Sequence, residues 1–318
     1  MGRHAYNMSG RRIIIRNFSD DDFNRYVTLH VESGHLDPAG RFAIARQLRD
    51  DLGHPKFKPQ TDLWVADLSG VLVGCLAINR EPEIGRALLA GCVHPQHRRK
   101  GIATKLLTVG LQGIRASGIQ SAQASVQESN AGARNFLNQM GFAHIRYFAE
   151  MRLTINTIQL PANREDAVTS RRLAPGEAKL LTQIQNRCFA DSWGFNPNTE
   201  EEIAYRLSMQ SRSPQEVILT YEGNHPVGYC WTITTGKENE SLAETKGQIH
   251  MLGVDPDYRR QEIGRAILRN GLKALNARSL DVVELTVDGK NTAARALYES
   301  VGFEVYAKTE WYEKILIQ

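Results

Sequence analysis

The most constraining feature of this sequence is a pair of motifs that each occur twice at one fixed distance. Residues 93–103 read VHPQHRRKGIA, and residues 254–264 read VDPDYRRQEIG. A second pair, residues 130–142 and 291–303, shares its Asn, its Ala-Arg and its Gly-Phe at the same offset of 161 residues. Two separated motifs that keep one offset indicate a duplicated domain rather than two chance matches.

Length and composition agree with this interpretation. The 318 residues suit two domains of about 150 residues each. A hydrophobic fraction of 42% and a charged fraction of 23% are typical of a soluble globular protein. The net charge of +4 is compatible with an anionic ligand, but it is too small to indicate a nucleic-acid partner.

Location is predicted from three further features. No apolar run approaches the length that spans a membrane, so we expect no membrane association. The polar, basic residues 1–12 do not resemble a signal peptide, and we predict a frayed tail there. The four cysteines lack metal-ligand spacing and are expected to be reduced thiols in a cytoplasmic protein.

The order of predicted elements is the same in both halves. We predict an N-terminal domain over 1–158, a linker over 159–167 and a C-terminal domain over 168–318. The linker has a proline, mixed charge and no apolar periodicity. The second copy has one insertion of seven residues relative to the first. We place these residues in a surface loop at 236–246.

Each half has a central helix whose apolar residues keep one register. The first helix has them at Ala103, Leu106, Leu107, Gly110, Leu111 and Ile114, and the second helix has them at the positions 161 residues later. This spacing defines one apolar helix face. A glycine inside a helix lowers helix stability by about 1 kcal/mol, so Gly110 and Gly271 indicate close packing at that face. The alternative is that both copies kept the glycine from the duplication without a role for it.

The first motif has the features of a phosphate-binding loop. A strand ends before it, Pro95 turns the chain, and a helix begins inside it, so backbone N–H groups and the helix N-terminus converge. Arg98, Arg99 and Lys100 add positive charge, although such a run is ordinarily a solvated patch. The P-loop and Rossmann patterns are absent, and we expect no parallel strand–helix–strand unit.

Taken together, the two motifs resemble the signatures of the GNAT superfamily of N-acetyltransferases, once in each half. The resemblance implies an α+β fold of two tandem domains, each with a mixed, mostly antiparallel sheet flanked by helices. It also implies acetyl-CoA as cosubstrate, without a metal, held between splayed central strands. The tandem layout is similar to that of mycothiol synthase-like proteins, which does not fix the acceptor.

The resemblance also implies which residues contact acetyl-CoA. In the first copy they are Val93, Arg98, Arg99, Gly101, Ala103, Thr104 and Asn130. In the second copy they are Val254, Arg259, Arg260, Gly264, Arg265 and Asn291.

The two copies are not equally complete. In the family a tyrosine of the second motif protonates the departing thiolate; the first copy has Leu137 there, whereas the second has Tyr298. Conversely, the second copy has Glu262 where the first has Gly101. A carboxylate repels a pyrophosphate unless it turns outward or pairs with Arg259, Arg260 or Arg265.

A candidate base is also confined to the second copy. Alternate residues of a strand share a face, and counting back from Val254 gives Leu252, His250 and Gln248. Histidine accepts a proton near neutral pH. We therefore predict catalysis in the C-terminal copy, with Tyr298 as acid and His250 as base, directly or through water. The alternatives are a core tyrosine and a structural strand histidine.

The expected activity is transfer of an acetyl group from acetyl-CoA to a primary amine of a small molecule or peptide. We expect a monomer or homodimer. The resemblance implies that the segment with Phe189, Trp193 and Phe195 shapes the acceptor pocket, together with the Trp311-Tyr312 strand; an apolar anchor of the loop is an equal alternative for the three aromatic residues. The alternative is a non-catalytic acyl-CoA-binding or sensing protein in which both sites are degenerate.

Overall fold

A computed structural model describes residues 2–8, 11–36, 44–155, 168–209, 215–235, 245–278 and 280–316. The predicted linker 159–167 lies outside these residues, as does most of the predicted loop 236–246. The chain forms two compact units. Unit 1 comprises Met1–Tyr147 with Thr309–Gln318, and unit 2 comprises Phe148–Lys308.

Unit 1 is a helix-flanked sheet with strand order β1-β2-β3-β4-β5-β6-β13. Its strands are β1 (Arg3–Met8), β2 (Arg11–Asn17), β3 (Leu63–Leu68), β4 (Val71–Glu81), β5 (Arg86–Val93), β6 (Ser121–Gln127) and the end of β13 (Glu304–Ile315). Its helices are α1 (Phe23–Leu36), α2 (Ala45–Leu52), α3 (Pro59–Asp62), α4 (Ile102–Ala116) and α5 (Ala131–Gln139). All strand pairs are antiparallel except β5 with β6.

Unit 2 repeats this plan with strand order β7-β12-β11-β10-β9-β8. Its strands are the end of β7 (Ala143–Thr154), β8 (Thr169–Arg172), β9 (Gln215–Glu222), β10 (His225–Thr235), β11 (Lys246–Val254) and β12 (Val282–Asp288). Its helices are α6 (Ala178–Phe189), α7 (Glu200–Ser208), α8 (Ile263–Asn276) and α9 (Thr292–Glu299). The predicted mixed, mostly antiparallel α+β fold is therefore confirmed for both copies.

The last strand of each sequence repeat completes the unit formed by the other repeat. In unit 2, residues 148–154 of β7 pair with residues 282–288 of β12. In unit 1, residues 309–315 of β13 pair with residues 121–127 of β6. The compact units are therefore not contiguous in sequence, and the boundaries at 158 and 168 describe the repeats and remain a prediction.

Two expectations about local structure were wrong. Residues 3–8 are not a frayed tail but an edge strand, because His4 and Tyr6 alternate toward the sheet and cover Trp64 and Lys105. In addition, β5-α4-β6 and β11-α8-β12 are parallel strand–helix–strand units. Their strands pair over only four residues, and polar residues interrupt β6, β11 and β12, so that only β5 has the continuous apolar run that signals a buried parallel strand.

The predicted apolar helix faces lie against the sheet. Helix α4 buries Leu106, Leu107, Gly110, Leu111 and Ile114, and α8 buries the equivalent residues. A Cβ atom on Gly110 would lie 2.7 Å from Cδ2 of Leu76, and one on Gly271 would overlap Sγ of Cys230. Both glycines are therefore required for close helix–sheet packing, which favours the packing interpretation over mere inheritance.

Candidate active site

In both units the two central parallel strands separate toward the proposed phosphate loop. Strands β5 and β6 pair only from Arg86 to Leu89, although β5 continues to Val93. In unit 2, β11 and β12 pair only from Lys246 to Ile249, although β11 continues to Val254. In each unit the two strands therefore stop pairing with each other before the loop, as the resemblance implied for the pantetheine arm.

The loops after these strands have the same backbone conformation. Arg99 and Gly101 adopt positive φ angles of 61° and 71°, and the equivalent Arg260 and Glu262 adopt 62° and 61°. Gly101 and Glu262 are the residues immediately before α4 and α8. Each loop therefore ends at a helix N-terminus, where free N–H groups and the helix dipole favour an anion.

The charged side chains of the two loops are engaged differently. Arg98 Nε donates to the carbonyl of Val93 at 3.1 Å, and Arg259 Nε donates to that of Val254 at 3.3 Å. The guanidinium of Arg259 is also paired with Asp191 at 2.6 Å, a contact that gives no sequence signal because it joins a loop to a distant turn. That ion pair raises the pKa of Arg259 and holds its charge away from a ligand.

The side chain of Glu262 both turns outward and pairs with an arginine, the two arrangements in which a carboxylate is compatible with a bound pyrophosphate. Its side chain is 81% exposed, and it accepts a hydrogen bond from Arg265 Nε at 2.7 Å. The carboxylate therefore turns outward, but it occupies one of the arginines predicted to contact the cofactor. Among the other predicted contact residues, Arg99, Thr104 and Arg260 are exposed, and Ala103 and Gly264 are half-buried.

The asparagines of the second motif have a structural role in this structure. Oδ1 of Asn130 accepts the N–H of Ala133 at 3.0 Å, and Oδ1 of Asn291 accepts that of Ala294 at 3.1 Å. Each asparagine therefore caps the N-terminus of its helix. Their predicted contact with acetyl-CoA remains a prediction.

The tyrosine position of the second motif is buried in both units. Leu137 and Tyr298 are 6% and 7% exposed, and Tyr298 packs edge-on against Phe303 at 5.9 Å. Burial, followed by the nearby Cys230, raises the pKa of Tyr298, so its hydroxyl is protonated at neutral pH. This hydroxyl has no hydrogen-bond partner among the residues that the structure describes.

His250 lies at a β-bulge, at the point where the central strands of unit 2 separate. Trp231 pairs with Met251 and the next residue of β10 pairs with Ile249, so His250 has no opposite residue on β10. The ring of His250 is half-buried and lies edge-on to that of Trp231 at 5.4 Å. Strands β4 and β5 of unit 1 pair without such a shift, so the bulge distinguishes unit 2.

The bulge corrects the predicted alternation along β11. Val254 faces α8, where its methyl would be 3.6 Å from a Cβ on Gly264. His250, in contrast, contacts Trp231, which belongs to the apolar cluster formed with α6 and α7. Because a bulge reverses the alternation of side chains, His250 does not share a face with Val254 and Leu252, as counting by twos had predicted.

Two groups expected to line the acceptor pocket are placed differently. In unit 2, Trp193 packs on Phe148 at 6.1 Å, and Phe189 lies against Gly253 of β11. Trp311 and Tyr312 pair with β6 and belong to unit 1. The exchange of terminal strands, which is not visible in the sequence, thus puts the two groups in different units, and their place in an acceptor pocket remains a prediction.

Comparison with known proteins identifies two copies of one family. Residues 28–142 and 178–303 match the acetyltransferase (GNAT) family. The chain is 27% identical over 268 residues to a mycothiol acetyltransferase of Stackebrandtia nassauensis, covering 83% of this chain and 86% of that protein. It is 30% identical over 245 residues to one from Paenarthrobacter aurescens, covering 74% and 71%.

Solved structures show the same tandem fold. A GCN5-related N-acetyltransferase from Sphaerobacter thermophilus superimposes with a TM-score of 0.71 at 21% identity, covering 96% of both chains. A tandem GNAT protein from the clavulanic acid biosynthesis pathway gives a TM-score of 0.73 at 18% identity, covering 96% of this chain and 99% of that chain. Among the described residues, no helix is long and apolar enough to cross a membrane.

Proposed function

Because the chain belongs to the acetyltransferase (GNAT) family, we propose that it transfers an acetyl group from acetyl-CoA to a primary amine and that unit 2 is its catalytic half. The observation that carries this proposal is the difference at one buried position. Unit 2 has the Tyr298 hydroxyl there, whereas unit 1 has the Leu137 side chain, which has no proton to donate.

The cofactor would bind along the separated strands. Pantetheine amides would pair with the edge of β11 that has separated from β12, near Val254, and the pyrophosphate would lie at the N-terminus of α8. Arg260 would add positive charge, since Arg259 is already paired with Asp191. In unit 1 the same contacts would come from Val93, the loop that ends at Gly101 and the N-terminus of α4.

The reaction would be direct attack of a neutral amine on the thioester carbonyl. His250 would accept the proton that the amine nitrogen loses as the new C–N bond forms, directly or through water, and it lies where the central strands separate. Backbone N–H groups at the bulge would stabilise the tetrahedral oxyanion. As the C–S bond breaks, the electron pair goes to sulfur, and Tyr298 donates the proton that yields free CoA thiol.

The test is release of CoA thiol from acetyl-CoA in the presence of an amine panel. Because the chain is similar to mycothiol acetyltransferases, the panel begins with the acceptor of those enzymes. Aminosugars, polyamines, amino acids and peptides follow. We expect at least one amine to give thiol release above the rate without amine, together with the acetylated product.

A second candidate function is supported by the fact that each unit departs from the family motifs at one position. Unit 1 has Leu137 for tyrosine, and unit 2 has Glu262 for glycine. A non-catalytic acyl-CoA-binding protein would have this combination. Binding of acetyl-CoA without thiol release across the whole panel would support that function and contradict the transferase.

A further inference from the structure

Unit 1 contains a cluster of three side chains that the proposed chemistry does not use. His30 of α1, Cys75 of β4 and Cys92 of β5 form this thiol–imidazole cluster, and their ligand atoms all lie within 4.8 Å of one another. Sγ of Cys75 is 3.6 Å from Nε2 of His30 and 3.7 Å from Sγ of Cys92. Both cysteines are free thiols.

These separations match the edges of a tetrahedral zinc site. Zinc lies about 2.3 Å from cysteine sulfur and about 2.0–2.1 Å from histidine nitrogen. In a tetrahedron those bond lengths place two sulfurs about 3.8 Å apart and a sulfur and a nitrogen about 3.6 Å apart. The two separations measured in the cluster agree with these values within the ±0.2 Å expected of a real site.

The surroundings of the cluster also suit a metal ion. Histidine nitrogen and cysteine sulfur are the ligand types that zinc prefers, and here they come from three separate elements, α1, β4 and β5. Cys75 is buried, whereas His30 and Cys92 are half-buried. Among the described residues no fourth histidine, cysteine or carboxylate joins the cluster, so a fourth ligand has to come from elsewhere.

Unit 2 lacks the cluster at the matching positions, which makes it a feature of unit 1 alone. Cys75 corresponds to Tyr229 and Cys92 corresponds to Gly253 in the repeat. A Cβ atom on Gly253 would lie 2.9 Å from the ring of Tyr229, so this ring fills the space that the two thiols occupy in unit 1. The duplication alone therefore does not account for the cluster.

We propose that the cluster binds one Zn²⁺ ion through Nε2 of His30 and the thiolates of Cys75 and Cys92, with a water molecule as fourth ligand. Binding releases the two thiol protons and leaves the site without net charge. The ion links α1 to β4 and β5 and stabilises unit 1. It contradicts the expectation from the resemblance that the protein holds no metal.

The test uses the full-length protein, reduced and freed of metal with a chelator, then titrated with CoCl₂ and with ZnCl₂. We expect one Co²⁺ per chain, with the thiolate-to-cobalt charge-transfer band and the intense visible bands of tetrahedral coordination, and displacement of Co²⁺ by Zn²⁺. A hundredfold excess of Zn²⁺ over its Kd should raise the Tm by about 5 °C, reversibly with chelator.

Cys75→Ser and Cys92→Ser should each weaken Zn²⁺ binding by more than about 100-fold, since loss of even an outer partner costs 10–100-fold. Cys188→Ser, in unit 2, is the matched control and should bind as wild type does. If a variant fails to fold, the titration and Tm of the wild-type protein still decide the matter.

Three results would overturn the proposal. The first is wild-type protein that takes up no Co²⁺ or Zn²⁺ after reduction. The second is a tetrahedral cobalt spectrum that survives in both serine variants. The third is a Cys75–Cys92 disulfide in freshly purified protein that, once reduced, gives no metal uptake. None of these readouts depends on acetyl transfer.

Discussion

Replacement of Glu262 by glycine tests how the two phosphate loops differ. Glu262 has a φ of 61°, close to the 71° of Gly101 at the equivalent position. Only glycine adopts this conformation without a steric penalty, which for other residues is about 1–2 kcal/mol. We therefore expect Glu262→Gly to raise the free energy of unfolding of unit 2 by about 1 kcal/mol.

The same replacement should strengthen acetyl-CoA binding. An exposed carboxylate about 6 Å from a phosphate charge costs about 0.7 kcal/mol in water, so the two charges of a pyrophosphate cost about 1.4 kcal/mol before salt screening. Glu262→Gly also releases Arg265, which now pairs with the carboxylate. The Kd of acetyl-CoA for unit 2 should fall about three- to tenfold.

Two further variants separate backbone strain from charge. Glu262→Gln removes the charge but keeps the strained backbone, so it should improve affinity without improving stability. Gly101→Glu is the reciprocal change and should weaken binding to unit 1 and destabilise it. Calorimetric titration with acetyl-CoA at low salt and denaturant unfolding measure the two effects. An unchanged Kd in both Glu262 variants would refute the placement of the pyrophosphate beside this residue.

Three other predictions concern the fold. Gly110→Ala should destabilise unit 1 by about 1–3 kcal/mol, because the new Cβ would lie 2.7 Å from a leucine methyl of β4. Gly113→Ala, whose Cβ would lie 4.0 Å from the Arg80 guanidinium in ordinary contact, should stabilise it in the same denaturant assay. Burial opposes ionisation of Asp22, but the hydrogen bonds from Arg16 and from the N–H of Ser19, together with the charges of Arg16 and Arg25, outweigh it and lower the pKa to about 2. Stability followed by circular dichroism should therefore fall between about pH 4 and pH 2, and this loss should be absent in Asp22→Asn. Deletion of residues 309–318 should expose the edge of β6 and increase hydrogen exchange in unit 1 rather than in unit 2; faster exchange confined to unit 2 would contradict the strand exchange.

Much of the fold could be predicted because its signals are local. The apolar register of α4 and α8 follows from spacing over a few residues, and the structure confirms it. The condition that Glu262 has to turn outward or pair with an arginine could also be stated from chemistry alone.

The features that the sequence did not reveal depend on contacts between distant segments. Alternation along β7 and β13 does not determine which strand they pair with, so the exchange of terminal strands was not foreseen. The bulge at His250 is a change of register that leaves no pattern in the residues themselves. Likewise, His30, Cys75 and Cys92 are far apart in the chain, and only the fold of unit 1 brings them together.

Catalysis in unit 2 through the Tyr298 hydroxyl is tested most directly by the kcat of the Tyr298→Phe variant for release of CoA thiol. General acid catalysis typically contributes 10²–10⁴-fold, so we expect kcat to fall by about 100-fold or more while the KM for acetyl-CoA changes little. Tyr312→Phe, a buried tyrosine of unit 1, should retain wild-type kcat. An unchanged kcat in Tyr298→Phe, or an equal loss in both variants, would contradict this account.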